Sequence, residues 1–331
     1  MKAIVHKEQE GLNGLFYEDM DEPDVNTGQV KIKLKTGGMN RRDVALLHRH
    51  KPDQPPLIMG SDGAGVVEAV GEGVNNVKTG DEVVIDPSLG WQKNSEAPPE
   101  GFKILNMPDH GTFAEYITIP AENVEKKPEH LSWTEAGVLP LAALTGYRAL
   151  FTRGKVQSGD TVMLPGIGSG VLTYILLFAK AAGARVIVTS RSEEKRQKAL
   201  ELGADVAIPT ESDWKEELKD EQVDLLIESI GRATFNKSLG IIRKGGTIVT
   251  FGATTEDEVN IDIRKFFYGQ FNLLGSTMGS HEEFKEMLAF VEKHQTRPVV
   301  DRIFSLSDYK EAFRYLRDSK NFGKIAFDIH S

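Results

Sequence analysis

Apolar and polar residues alternate in short runs through about the first 125 residues, at Lys2–Val5, Val30–Leu34, Gly65–Val70, Glu82–Ile85 and Phe113–Ile119. Gly, Pro and Asp turn signals separate these runs and a helical period is nearly absent between them, so the segment reads as a compact β-rich domain. From Thr161 the texture changes. Apolar runs at Thr161–Leu164, Arg185–Thr189, Val223–Ile227, Thr247–Phe251 and Leu273–Gly275 now alternate with helical segments, mostly about 24 residues apart with one wider gap. That rhythm predicts βαβ units and a parallel sheet. A mostly apolar helix is expected from Gly170 to Ala182, stopped by Gly183, and a second is capped by Ser192 and ends before Gly203. Amphipathic helices are expected at His281–Lys293 and Ser307–Arg317, after the last strand. Pro87 to Asp109 is the longest stretch without periodicity and reads as an ordered excursion or lid.

Length and composition narrow this picture. At 331 residues, two domains are favoured over one, and an apolar content of 40% with 27% charged residues excludes disordered and fibrous chains. The balance of 40 Lys+Arg against 49 Asp+Glu gives a net charge of −9, which argues against nucleic acid or an anionic membrane as partner. With no cysteine, disulfides, thiolate nucleophiles and Cys-built metal sites are excluded, and a metal would need His and carboxylates. The start Met1–His6 has no apolar core before a cleavage site and no run is long enough to span a bilayer. A cytoplasmic protein is expected.

Strand Thr161–Leu164 leads through Pro165-Gly166-Ile167-Gly168-Ser169-Gly170 directly into a helix. Such a turn lets backbone N–H groups approach a pyrophosphate at the positive end of a helix dipole, although a tight βα turn could need the same glycines for conformation alone. Its place after the first strand of the parallel series favours the dinucleotide reading. The register is irregular: counted back from Gly183, the usual glycine positions fall on Ile167, Ser169 and Leu172, so Gly166, Gly168 and Gly170 must supply the flexibility. The second strand ends at Ser190-Arg191-Ser192, about 20 residues on, where an acid would bind a ribose 2′-hydroxyl. Ser190, Arg191 and Lys195 suit a 2′-phosphate instead. Cations in the first turn of a helix oppose its dipole, which makes a solvated basic start the weaker explanation.

Five further segments carry a family resemblance: Met59-Gly60-Ser61-Asp62-Gly63-Ala64-Gly65-Val66-Val67-Glu68-Ala69-Val70-Gly71, Thr79–Val84, Gly111–Tyr116, Leu139–Tyr147 and Gly323-Lys324-Ile325. In this order, and across essentially the whole chain, they resemble the medium-chain dehydrogenase/reductase superfamily, in its alcohol dehydrogenase and quinone oxidoreductase group. The resemblance implies an α/β fold with a GroES-like β-rich catalytic domain over residues 1–128. A Rossmann domain with a doubly wound parallel sheet would follow over 129–275, and residues 276–331 would return to the catalytic domain. It also implies a nicotinamide cofactor in the cleft between the domains, and a homodimer covering the apolar edge strand Asn272–Gly275.

By family position Asn40 and Thr145 would lie beside the nicotinamide and Phe251, Gly252 and Ala253 along its carboxamide. Gly168, Ser169, Gly170 and Val171 would hold the phosphates, with Ser190, Arg191 and Lys195 at the 2′-phosphate, and Gly323 and Lys324 would close over the cofactor. The places that the resemblance gives to catalytic zinc ligands carry Asn40, Ser61 and Leu141, which do not make a zinc site. The four-Cys structural zinc lobe is replaced by Trp91–Asp109. His48 and His50, with Asp43 or Asp62, form the remaining candidate metal set, but i and i+2 residues do not share a helix face and the run Arg41–Lys51 is cationic, which favours a solvated loop.

Hydride transfer to an already electrophilic carbon needs positioning more than a Lewis acid. The expected function is therefore NADPH-dependent, zinc-independent reduction of a quinone or α,β-unsaturated carbonyl. Asp62, Tyr147 and His110 are candidate proton donors, with solvent as the alternative. Two rivals are an alcohol or polyol dehydrogenase with a non-standard metal and a non-catalytic NADPH-binding sensor.

Overall fold

Val30, Ile32 and Leu34 are fully buried, while Lys31, Lys33 and Lys35 between them are not, so residues 29–38 form a pleat with one face in a core. In the computed structural model, which describes residues 1–330, this run is the strand Gln29–Gly38 at the centre of a seven-stranded sheet. One edge pairs antiparallel with Asp62–Val70, in a register that sets Gly38 against Asp62. The other edge is shared by Tyr116–Pro120 and the late strand Lys324–Asp328, where Ala326 faces Gly38. Three segments far apart in sequence therefore meet at one end of one strand. Phe113, Phe313 and Phe327 fill the core beside them, with Phe113 and Phe327 edge to face at 4.9 Å.

Two compact units emerge, Met1–Leu144 with the segment from Gly279 onward, and Thr145–Met278. The sequence places the first boundary near 129, yet residues 129–144 belong to the first unit. The helix Trp133–Gly137 lies on its strands so closely that any side chain at 137 would strike Thr36. The end of the sheet thereby gains a helical cover.

The run Arg41–Arg49, expected as a solvated loop, is a helix that buries Asp43, Leu46 and Leu47. His50 just beyond it is buried too, its Nδ1 at 2.9 Å from His6 Nδ1 and its Nε2 at 3.0 Å from the Pro55 carbonyl. The apolar positions 44, 46 and 47 were the signal, outweighed in the sequence by the surrounding cations. Residues 87–109 form an ordered excursion with a two-residue strand pair, Ser88–Leu89 with Lys103–Ile104. Its Trp91 and Gln92 carbonyls accept from the first N–H groups of the helix His281–His294. His281 in that first turn lies between two carboxylates, Nδ1 at 2.8 Å from Asp86 and Nε2 at 3.0 Å from Glu125. Both ring nitrogens must donate, so the ring is cationic, and the two carboxylates outweigh burial to push it up to about 9.

The second unit is a six-stranded parallel sheet whose third strand in spatial order is Thr161–Leu164, flanked by Arg185–Ser190 and Val223–Glu228. The wide gap in the sequence rhythm holds an additional strand, Val206–Pro209, too short and too polar at its flanks to show as an apolar run. The outermost strand on the other side is Asn272–Gly275, beyond Ile242–Thr250. Because all six strands run the same way, the glycine turn, Ser190 and Phe251 all follow strand ends on one side of the sheet. No helix among the described residues is long and apolar enough to cross a membrane.

Candidate functional site

The sheet end in the first unit holds a buried polar network. Lys324 is 3% exposed and its ammonium donates to the Met39 carbonyl at 2.7 Å, to Asn40 Oδ1 at 2.6 Å and to Asp62 Oδ2 at 3.1 Å. Asn40 Nδ2 donates to the same Asp62 oxygen at 2.8 Å, and the Leu141 N–H donates to Asp62 Oδ1 at 2.8 Å. Burial raises the Asp62 carboxyl above its ordinary range, and the Lys324 ammonium with the Asn40 and Leu141 donors pulls it back. With three donors on it, this carboxylate has no proton to offer, so the geometry counts against Asp62 as proton donor.

Lys324 likewise departs from the sequence expectation. All three of its donors are spent inside the unit, leaving none to close over a cofactor. Gly323 beside it adopts φ +100°, and a Cβ there would meet the Val299 carbonyl. Asn40 keeps one amide N–H without a partner among the described residues.

The helix that starts after Asn40 contributes two groups to this end of the unit: Asp43, which the sequence offered only as a possible partner of His48 and His50 on a metal, and Arg42, which it did not single out. Asp43 is fully buried, accepts from the Asn40 N–H at 2.7 Å through Oδ2, and leaves Oδ1 without a partner. Burial pushes its carboxyl up to about 7 against the pull of Arg42, Asn40 and Lys324. Arg42 Nη1 donates to Ser61 Oγ at 2.5 Å and to the Leu105 carbonyl at 2.8 Å, and Nη2 donates to the Asn106 carbonyl at 3.2 Å. Ser61 Oγ itself donates to the Leu105 carbonyl at 2.9 Å. A helical signal over Arg41–Arg49 would have placed both residues in one first turn. His110 accepts the Ile58 N–H through Nδ1 and is held neutral by burial, which lowers its pKa.

In the second unit Gly166 and Gly168 have φ of +77° and +133°, values that a residue with Cβ rarely adopts, and a Cβ at 168 would meet the Lys195 side chain at 3.0 Å. The turn is pinned to the neighbouring strand by Gly166 N–H to Thr189 Oγ1 and Ile167 N–H to the Thr189 carbonyl. Ser169 caps the helix Gly170–Ala181 through its side chain, accepting from Leu172 N–H at 3.2 Å. The N–H groups of Gly170 and Val171 are the first of that helix and lack intrahelical acceptors. The turn and the helix start form a cradle that fits a pyrophosphate, with the Lys195 side chain beside Gly168.

Ser190 is buried and Arg191 is exposed at the end of the second strand. Arg196, not anticipated in the sequence, donates to the Ser190 carbonyl at 2.8 Å and fixes this corner. Thr145 is buried, with its hydroxyl 3.9 Å from Met278 Sδ, and Tyr147 packs among Phe151 and Phe178. Gly252 and Ala253 lie exposed after their strand, with Phe251 partly buried. Asn40, Asp62 and Lys324 thus come together within one unit, and the glycine turn, Ser190, Arg191 and Lys195 within the other.

A family model described as Alcohol dehydrogenase GroES-like domain matches residues 26–129, and one described as Zinc-binding dehydrogenase matches residues 170–293. A zinc-type alcohol dehydrogenase-like protein of Schizosaccharomyces pombe is 32% identical over 345 residues, covering 99% of each chain. An acryloyl-coenzyme A reductase of Sulfurisphaera tokodaii is 26% identical, covering 98% of this chain and 99% of that one. The crystal structure of an NAD-dependent alcohol dehydrogenase superposes with a TM-score of 0.93 at 34% identity, covering 99% of this chain and 100% of that one. A Rossmann-like parallel sheet with a separate GroES-like unit defines a nicotinamide-type oxidoreductase. The chain belongs to the medium-chain dehydrogenase/reductase superfamily.

The zinc named by one of these families does not fit the residues present. Asn40 is tied to Lys324 and Asp62, Ser61 to Arg42 and Leu105, and Leu141 brings no side-chain donor. Among the described residues no group of three His, Asp or Glu side chains is arranged to hold a metal ion.

Proposed function

We propose that this chain is an NADPH-dependent reductase that delivers hydride to a quinone or an α,β-unsaturated carbonyl without zinc. The observation that carries the reading is the Asn40–Asp62–Lys324 network, which engages Asn40, one of the three positions expected to hold a metal, in a hydrogen-bonded ion pair of the protein's own. An alcohol cannot be activated there as a metal alkoxide, whereas a conjugated carbonyl needs orientation and hydrogen bonds. The S. tokodaii relative, named for the reduction of such a substrate, supports this class.

The nicotinamide, when bound, supplies the hydride. This chain's part is to hold the pyrophosphate on Gly168, Ser169, Gly170 and Val171 and the 2′-phosphate on Ser190, Arg191 and Lys195. Asn40 offers its remaining amide N–H, and Thr145, Phe251, Gly252 and Ala253 are assigned to the nicotinamide. A homodimer through the edge strand Asn272–Gly275 belongs to the same reading, since Leu273 with Ile263, Phe267 and Tyr268 leaves large apolar side chains exposed in that unit.

The test is NADPH oxidation by the purified protein with a panel of quinones and enones, alongside NADP-dependent oxidation of simple alcohols and elemental analysis. Reduction of the conjugated acceptors that survives chelation, with no stoichiometric zinc, supports the reading. About one zinc per chain with chelator-sensitive alcohol oxidation would replace it by an alcohol dehydrogenase, and NADPH binding without turnover by a sensor.

A further inference from the structure

We propose that the Arg42 guanidinium is the group that receives the negative charge developing on the substrate's carbonyl oxygen. This rests on the reductase reading above. Hydride addition to the β-carbon of an enone moves the π electrons onto the carbonyl oxygen, giving an enolate that water then protonates at carbon. NADPH gives up the hydride and becomes NADP⁺, the enone is reduced, and the step needs a positive group at that oxygen.

Arg42 has the features required of such a group. Its guanidinium is aimed by three neutral acceptors, Ser61 Oγ and the carbonyls of Leu105 and Asn106. The two carbonyls come from a loop held with φ of +78° at Asn106 and +73° at Met107, both unusual for residues with a side chain. No carboxylate forms an ion pair with it among the described residues, although burial is extensive enough to lower its pKa against the pull of Asp43 and Asp62. A largely buried cation with no carboxylate in direct contact is costly, and binding an oxyanion against it offsets that cost. Two of its five donors, Nε–H and one Nη2–H, have no acceptor among the described residues and the residue retains some exposure.

Its place in the fold points to the same task. Arg42 stands in the first turn of its helix, where a cation gains nothing from the dipole. It is two residues from Asn40 and bonded to Ser61, the neighbour of Asp62. The positive charge thus sits beside two of the three positions that a metal-dependent relative would use for ligands, and it supplies a fixed bidentate donor where a Lewis acid is missing.

The experiment uses Arg42→Ala and Arg42→Lys in the full-length protein, with 4-nitrophenol as a probe of oxyanion binding. Arg42→Ala is expected to lose about 10²–10³ in kcat/KM for the enone, with NADPH affinity unchanged. Guanidinium ion should restore at least about tenfold of the loss and urea none, a response that a packing role would not give. Wild-type protein should bind 4-nitrophenol as the yellow phenolate below the free phenol's pKa, and Arg42→Ala should not. Full activity of Arg42→Ala, a loss that guanidinium does not reverse, or wild-type binding of the neutral phenol would each overturn the proposal. Arg42-dependent phenolate binding without NADPH oxidation would instead reject the reductase reading and leave the oxyanion site standing. If the alanine variant does not fold, the wild-type phenolate spectrum decides alone.

Discussion

In the first unit Lys324, Asn40 and Asp62 are sealed together at a sheet end, each satisfying the others, whereas in the second the first N–H groups of the helix after the glycine turn lack intrahelical acceptors and Arg191 is exposed. The difference is one of reference state. A buried ammonium must find its acceptors within the protein, so the first site is assembled before any ligand arrives. A helix start and an exposed guanidinium are solvated at little cost, and the second site is completed by the anion it binds. The first should therefore answer to mutation through stability, the second through affinity.

The sharpest test removes the sealed cation. Lys324→Met strands the fully buried Asp62 carboxylate and is expected to cost about 3–5 kcal/mol in urea unfolding, with Lys324→Met/Asp62→Asn recovering part of that loss. An effect on cofactor affinity with unchanged stability would break the comparison. On the open side, Arg191→Ala should weaken NADPH binding by roughly tenfold to a hundredfold, about 1.5–3 kcal/mol, while leaving NADH binding and the melting temperature unchanged. Equal binding of NADPH and NADH by the unmodified protein would contradict it.

A second sealed cation should report through pH. His281 is raised from 6.5 to about 9 in the folded protein by Asp86 and Glu125. Its contribution is complete below pH 6.5 and is lost as pH rises through about 9, because only the protonated ring donates to both carboxylates. With allowance for solvent screening, about 2 kcal/mol should disappear between pH 7 and 10, and His281→Gln should flatten that part of the profile. The smallest expected effect is at Ser169, where replacement by alanine removes the cap and should cost about 1 kcal/mol of stability. A much larger loss of NADPH affinity in that variant would mean that the hydroxyl, and not only the backbone, meets phosphate.

The two sites were not equally legible in the chain. The strand Thr161–Leu164, the turn Gly166–Gly170 and the helix after it are contiguous in sequence, so period, cap and glycine pattern sufficed to place them, and Ser190 and Arg191 followed one strand later. The helix Arg41–Arg49 was obscured by its charges, because its buried face consists of only a few residues and one of them is an aspartate. Asn40 enters through the resemblance and Asp62 as a candidate proton donor, and nothing in the sequence says that they touch.

Local order and chemistry near in sequence were thus determined by the chain itself: the β-rich first part, the βαβ series, the phosphate turn and the absence of a cysteine-built metal site. Tertiary structure alone decided that Lys324 neutralises Asp62 across 262 residues, that Arg42 takes Ser61 as its partner, and that His281 is caught between Asp86 and Glu125. The physical reason is that a buried charge is specified by whatever the sheet register brings within hydrogen-bond reach. Here the pairings of Gly38 with Asp62 on one side and Ala326 on the other set that register, and no local window of sequence contains it.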